Sequence, residues 1–306
     1  MKPKGVLVVG SITADVTAFS RRFPGPGETV LGDDFTLVLG GKGANQAVAA
    51  ARAGAPTWLA GCVGRDPFGD LVLAGLRSHG VELGQVRTVG DRTGVAHIRV
   101  DASGENDIVI VPLANAAFGA DLAEESIRAV RDQVGVLLLQ LEVPMATTCH
   151  AAKAGRAAGL TVVLDPAPAQ ALPDDVWRHV DVVTPNESEA GVLTGVRVTD
   201  LESAARAASW FLDRGVGHAL ITLGSGGALS VTAERTRHYP AYPVTPVDTT
   251  AAGDAFTGFF GAALAAGLDD ATAILRGMAA GALATTAPGA SPSLPDLAAV
   301  EALISR

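Results

Sequence analysis

Asp248-Thr249-Thr250-Ala251-Ala252-Gly253-Asp254 sets two carboxylates around a run of small side chains, directly ahead of an apolar helical pattern. Phe256, Phe259, Phe260, Ala263 and Leu264 recur at helical spacing, so this stretch lies where a loop turns into a helix that enters a core. At such an entry the N–H groups of Ala251, Ala252 and Gly253 lack intrahelical partners, and the helix dipole favours negative charge. An anion is held there by backbone alone, and small side chains let it come close. Asp254 would repel a resting phosphate, so its place beside that hole points to a base that takes a proton from an attacking hydroxyl. The competing reading is an ordinary helix cap, a task Asp performs in many proteins.

A second stretch, Gly40-Gly41-Lys42-Gly43-Ala44-Asn45, follows an extended run and opens a helix, its glycines permitting a tight turn against a ligand. It is not a Walker A loop, because Gly43 rather than Ser or Thr follows Lys42 and no Gly stands five residues before Gly41. The Rossmann G-x-G-x-x-G spacing fails as well.

For the two stretches to act together, a scaffold must bring them to one place. Short apolar runs alternate with Ala- and Leu-rich helical segments, so the fold class is α/β, a mostly parallel central sheet flanked by helices. Runs 6–9, 58–63, 136–141, 161–165, 182–184 and 219–223 read as core strands, with 229–232 and a neighbour as a late antiparallel edge. Asp66 before Pro67 starts a helix that Gly80 stops, Pro144 starts one that Gly159 stops, and Gly54 ends the helix following Asn45. Two stretches break the alternation: 13–39 has no helical pattern, and 93–111 reads as a hairpin turning at Asp101-Ala102-Ser103-Gly104. These insertions are predicted to form a small β lid, discontinuous in sequence, on a single α/β domain covering 1–306. One hairpin face, Ala96, Ile98 and Val100 or Val95, His97 and Arg99, would cover a substrate, or the sheet would simply pack in two layers.

With 306 residues, 48% hydrophobic and 18% charged, the chain can bury a sizeable core. Lys and Arg total 23 against 32 Asp and Glu, a formal charge of -9 that argues against nonspecific binding to nucleic acid or an anionic membrane. Cys62 and Cys149 are far apart and form no metal or disulfide pattern, which fits a reducing, cytoplasmic setting. Lys2 and Lys4 precede an apolar run too short for a signal sequence, and no run is long enough to span a bilayer.

Further motifs occur in a fixed order: Gly10-Ser11-Ile12-Thr13-Ala14-Asp15, Pro26-Gly27-Glu28-Thr29, the 40–45 turn, Asp165-Pro166-Ala167-Pro168-Ala169, Thr184-Pro185-Asn186-Glu187, Ile221-Thr222-Leu223-Gly224 and the 248–254 stretch. Through them the chain resembles, nearly end to end, the ribokinase-like or phosphofructokinase-B family of carbohydrate kinases, and within it the ribokinase branch.

The resemblance implies an ATP-dependent kinase acting on the 5-hydroxyl of a pentose, ribose first. Asp254 is then the base, and the amides of Ala251, Ala252 and Gly253 stabilise the transferring phosphoryl group. Thr13, Asp15, Gly41, Lys42, Gly43, Asn45 and Glu142, with Asp254, match the sugar positions. Asp15 would otherwise cap a turn and Glu142 a helix start. Asn186 and Glu189 match positions near the triphosphate and the water shell of Mg2+, while Thr222, Gly224 and Gly227, with Gly253, back the nucleotide. Asp248 and the Thr250 carbonyl match ligands of K+, completed by oxygens around Ala284, Ala287, Gly289 and Ser293; alternatively Asp248 ties the loop unaided. A homodimer through the β lid is implied as well. Thr13 departs from the Asn of bacterial ribokinases, so a bond to a sugar hydroxyl is lost, water-mediated or replaced. That departure places 2-deoxyribose, another sugar or a nucleoside as the alternative acceptor. Ala287-Pro288 likewise replaces residues that are often basic. A reading from another class is a catalytically inactive sugar- or nucleotide-binding regulator on the same fold.

Overall fold

The computed structural model describes residues 4–306, so Lys2 lies outside the described residues. In chain order the elements are β1 (Gly5–Val9), β2 (Thr13–Phe19), β3 (Asp34–Gly40), α1 (Lys42–Arg52), β4 (Thr57–Val63), α2 (Pro67–Ser78), β5 (Glu82–Thr88), β6 (Gly94–Val100), β7 (Asn106–Val111), α3 (Ala120–Val130) and β8 (Val134–Leu139). Then follow α4 (Met145–Ala157), β9 (Thr161–Leu164), β10 (Val182–Val183), α5 (Glu187–Thr194), α6 (Leu201–Leu212), β11 (His218–Thr222), β12 (Ala228–Thr232), β13 (Thr236–Tyr239), α7 (Ala252–Ala265), α8 (Asp270–Ala284) and α9 (Leu297–Ile304).

The main sheet has nine strands in the order β13-β12-β11-β10-β9-β8-β1-β4-β5. Every pairing from β11 to β5 is parallel, and β12 and β13 add an antiparallel edge. Alternate residues of β1 feed two cores, Val6 and Val8 toward α1, α7 and α8, and Leu7 and Val9 toward α3, α4 and α6. Period-two alternation between two apolar layers is what a sheet covered on both faces requires.

Three expectations need correction. The strand expected at 136–141 starts and stops two residues earlier, because Gln140 leaves the ladder and its side chain bonds to Gln46. The strands expected to end at Asp165, Thr184 and Leu223 each stop one residue sooner, which frees Asp165 and Thr184 at the carboxyl edge of the sheet, where parallel sheets bind ligands. β5 was not expected at all. Among the described residues it pairs only with β4, and as a half-exposed edge strand it carries Glu82, Gln85 and Arg87, which weakens its apolar signal.

The second sheet has four strands in the order β3-β2-β6-β7, built from the two insertions expected to leave the main domain. Its edges are apolar and exposed: Phe35 on β3 is 58% accessible, and Ile108 and Val109 on β7 are 50% and 62% accessible. On one face of the main sheet α7 lies almost wholly buried against α1. Gly258 permits that contact, since a Cβ there would fall 2.4 Å from Ala49 Cβ and 2.8 Å from the Gln46 carbonyl. Close approach of the two helices puts Asp254 beside the first turns of α1.

Candidate active site

Helix α7 begins without a side-chain cap. Its N-cap residue, Ala251, takes a left-handed conformation with φ 59°, a strain of about 1–2 kcal/mol for a residue with a Cβ. Of the three amides expected to be open, that of Ala252 reaches the Thr249 carbonyl at 3.3 Å, whereas those of Ala251 and Gly253 have no backbone acceptor among the described residues. Asp254 sits in the first turn, 3% exposed, and does not cap the helix. Its Oδ2 accepts from Asn45 Nδ2 at 3.1 Å, its Oδ1 accepts from Gln46 Nε2 at 3.1 Å, and Lys42 Nζ stands 3.6 Å away. The helix-cap alternative therefore falls, because the carboxylate is aimed across to α1.

Lys42 lies between two carboxylates, 3.7 Å from Asp165 and 3.6 Å from Asp254, with 27% of its side chain exposed. Burial works against its charge, but Asp254, Asp165, Glu142 and Glu189 overcome that and hold its pKa well above the ordinary lysine range. Asp165 is raised, since burial outweighs the help of Lys42.

The expected sugar positions lie next to this cluster. Gly41 adopts φ 89°, which lets the chain turn from β3 into α1 with its Cα close against Thr13 and Ser11. The N–H of Lys42 donates to Glu142 Oε2 at 2.9 Å, and that of Gly43 to Ser11 Oγ at 3.3 Å. Ser11 Oγ in turn donates to Glu142 Oε2 at 2.6 Å. Glu142 thus closes the open start of α1, and the helix that it was alternatively expected to cap, α4, has no side-chain cap. Asp15 caps no turn either: it lies within β2 and accepts from Thr13 Oγ1 at 2.8 Å. Burial pushes its pKa up to about 7, with Glu142 and Asp254 adding and the Thr13 hydroxyl opposing. Asn45 Oδ1 is buried without a partner among the described residues, an acceptor left for a ligand hydroxyl.

A cavity of about 180 Å3 joins Lys42, Asp165 and Asp254 to Ala251, Ala252 and Gly253 on one side and to Thr184, Asn186, Glu189 and Thr222 on the other. Asn186 and Glu189 form a capping box at the start of α5, Asn186 Oδ1 accepting from the Glu189 N–H and Glu189 Oε2 from the Asn186 N–H, both at 2.9 Å. Both also keep polar atoms outside those two bonds. Gly224 and Gly227 lie in the turn after β11, outside the cavity lining; Gly227 is required there by its φ of 91° and by Tyr239 O, which a Cβ would meet at 2.0 Å.

Asp248 binds its own loop, accepting from Thr250 N at 2.9 Å and Oγ1 at 2.6 Å, and from Gly289 N at 2.8 Å. The Thr285 carbonyl, next to Ala284, accepts from Asp248 N at 3.1 Å. Asp248, Thr250, Gly289 and the end of α8 therefore meet. Ser293 Oγ turns instead to the Ala290 carbonyl at 2.8 Å, and no hydrogen bond joins Ala287 to Asp248 among the described residues.

The sequence reading gave no role to Gln46, Gln140, Ser11 or Asp165. Ser11 and Asp165 both stand in the ordered motifs, at 10–15 and 165–169. Gln46 follows Asn45 directly and lies one turn beyond Lys42, the spacing that puts two side chains on one helix face, and that signal was available.

A three-layer α/β fold that gathers an ammonium, two buried carboxylates and open helix amides around one cavity defines a phosphotransferase of the sugar-kinase class. The model of the pfkB family carbohydrate kinases matches residues 3–297, and the chain belongs to that family. It is 41% identical to a ribokinase of Haemophilus influenzae over 95% of each chain, and 35% identical to a deoxyribokinase of Salmonella typhi over 95% of this chain and 96% of that one. It also superposes, with a TM-score of 0.92 and 33% identity over 99% of both chains, on an Arabidopsis thaliana ribokinase complexed with ribose and ATP. No helix among the described residues is long and apolar enough to cross a membrane.

Proposed function

We propose that the chain transfers the γ-phosphoryl group of ATP to the 5-hydroxyl of D-ribose, forming D-ribose 5-phosphate. The observation that carries this reading is the shared cavity, lined both by the buried, uncapping Asp254 and by Ala251 and Gly253, whose amides are open. Asp254 accepts the hydroxyl proton, the two amides hold charge that develops on the phosphoryl group, and Lys42 offsets the carboxylates that flank the path. Asp15, Asn45 and Glu142 orient the sugar, helped by the Gly41 and Gly43 backbone; the unpartnered Asn45 Oδ1 suits a hydroxyl donor. Similarity to the ribokinases of Haemophilus influenzae and Arabidopsis thaliana supports ribose as the acceptor.

Mg2+ fits at the far side of the cavity, where Asn186 and Glu189 would hold its water shell; bound there it neutralises phosphate charge. K+ fits an oxygen-only set of Asp248 and the Thr250 carbonyl with backbone or hydroxyl oxygens around Ala284, Ala287, Gly289 and Ser293, and would stiffen the loop before α7. Thr222, Gly224 and Gly227 back the nucleotide. The small sheet acts as a lid over the sugar, and its exposed apolar strands β3 and β7 pair with a second copy. A cytoplasmic setting accords with both cysteines being free.

One observation favours 2-deoxyribose as an alternative acceptor: the Thr13 hydroxyl is already donated to Asp15, so it is not free to donate to a sugar oxygen. ADP release measured over ribose, 2-deoxyribose, fructose and nucleosides, with potassium or sodium, decides. Ribose is expected to give the highest kcat/KM, with potassium raising it. A deoxyribose preference would install the alternative, equal rates in sodium would remove the cation's role, and silence on every acceptor would leave a binding protein.

A further inference from the structure

Gln46 lies one turn beyond Lys42 on α1 and is completely buried. Its Nε2 donates to Asp165 Oδ2 at 2.8 Å and to Asp254 Oδ1 at 3.1 Å. Lys42 Nζ faces the same two oxygens at 3.7 and 3.6 Å. Two carboxylates that would otherwise repel are thus bridged twice, once by an ammonium and once by a neutral amide. The bridges differ in access: Lys42 lines the cavity with 27% of its side chain exposed, whereas Gln46 is sealed off at 0%. A ligand phosphate or hydroxyl can draw Lys42 away, and Gln46 then keeps the carboxylates together.

The direction of that amide is fixed from behind. Gln140, fully buried just past β8, donates from Nε2 to Gln46 Oε1 at 2.6 Å. Turned over, the Gln46 amide would set its oxygen against Asp165 and Asp254 and its NH2 against the NH2 of Gln140, and all of these contacts would become repulsive. Thr148 Oγ1 donates to the Gln140 carbonyl at 3.0 Å and pins the backbone at that point.

We propose that Gln46 is a positioning residue for phosphoryl transfer, holding Asp254 at a fixed distance and direction from Asp165 while Lys42 engages the ligand, with Gln140 setting the polarity of the hold. This rests on the kinase reading above, in which Asp254 is the base. Gln46 makes and breaks no covalent bond, and its N–H groups stay on the carboxylates throughout.

The test uses the full chain carrying Gln46→Met, which preserves side-chain length and removes both donors. The kcat is expected to fall about 10²-fold, the cost of a misplaced reacting group, with little change in the KM for ATP. The acid limb of its kcat–pH profile should move to higher pH, because Asp165 loses a donor that favours its charged form. Adding Asp165→Asn removes the repulsion that Gln46 restrains, so the double variant should lose less than the product of the single losses. Gln140→Met removes the donor to Gln46 Oε1 and leaves the direction of the amide held only by the two carboxylates; the same direction of shift in the acid limb is expected with a smaller fall in kcat. Retention of kcat within about twofold in Gln46→Met, or a fall with an unmoved pH profile, overturns the proposal. If the wild type phosphorylates no sugar, the kinase reading fails separately, and thermal unfolding against pH still decides. Asp165, raised to about 8, costs wild type stability as pH rises from about 4 to about 8; in Gln46→Met the loss should continue above about 8, where wild type levels off, and curves that level off at the same pH would refute the hold.

Discussion

Helices α2 and α7 start in opposite ways. At α2, Asp66 accepts from Gly69 N at 2.8 Å, Pro67 occupies the first turn, and the same carboxylate accepts from Thr93 N at 2.9 Å and Thr93 Oγ1 at 2.6 Å. At α7 the N-cap is a left-handed Ala251, no side chain caps the helix, and the nearby acid, Asp254, turns away from the helix end. One end satisfies its amides and stabilises the fold; the other leaves them open and strained so that a ligand can take them. The energy held back at α7 is recovered elsewhere on the same helix, where Phe256, Phe259 and Phe260 are buried in the core.

The largest effect should come from Asp254→Asn. The amide keeps the size of the side chain but cannot take a proton, so kcat should fall about 10³-fold, while nucleotide binding followed by calorimetry stays close to wild type. Turnover near the wild-type rate would make α7 merely an uncapped helix. A second effect concerns charge. Burial raises Asp15 to about 7, so the KM for the sugar should rise about tenfold for each step in pH below that point, as the carboxylate loses its power to accept from two hydroxyls. The folded chain binds that proton more tightly than the unfolded one, so Asp15 lends stability at low pH and withdraws it as pH rises from about 4 to about 7. Urea unfolding of Asp15→Asn against wild type across that window measures it; a stability difference that ignores pH would disprove the burial argument.

The contrast also explains what could be read in advance. Asp66 before Pro67 is a satisfied start, and its sequence signature gave α2 correctly from Pro67 to just short of Gly80. Asp254, Asp15, Glu142 and the glycines of the 40–45 turn stood out for the same reason, since charge and backbone freedom follow from residue type, whereas Asp165 was given no role. The strain at Ala251 was not, because alanine carries no mark of a positive φ. Nor were Gln46 and Gln140, since a buried amide has neither charge nor periodicity and matters only through partners far away in sequence. β5 escaped because an edge strand needs one apolar face at most.

Gly253→Ala sharpens the comparison within one residue. A Cβ at Gly253 meets no atom within 4 Å, because that side faces the cavity. Alanine in a helical turn is worth about 0.5–1 kcal/mol over glycine, so thermal stability should rise. The added methyl stands beside the open amides, so kcat/KM should drop roughly tenfold. A variant that gained on both counts would show that the open end of α7 is not reserved for a ligand.

The smallest effect on turnover belongs to Asp66→Ala, and it tests the satisfied end. Removing a capping carboxylate costs about 1 kcal/mol, and here Thr93 N loses its acceptor too. Although burial works against it, bonds from Thr93 and Gly69 hold the Asp66 pKa below the usual carboxylate range. The folded chain therefore releases that proton more readily than the unfolded one, and the stabilisation is present above the unfolded pKa and lost as pH falls through the folded value. Wild type and Asp66→Ala should differ in unfolding free energy near neutrality and converge in acid, with kcat unchanged, since Asp66 lines no part of the cavity. The slope is opposite in sign to that of Asp15, because one carboxylate is bound by donors at a helix end while the other is buried in a site built to bind something else. If the two slopes ran the same way, donors at the closed start of α2 and burial of Asp15 within β2 would not be what moves the two carboxylates in opposite directions.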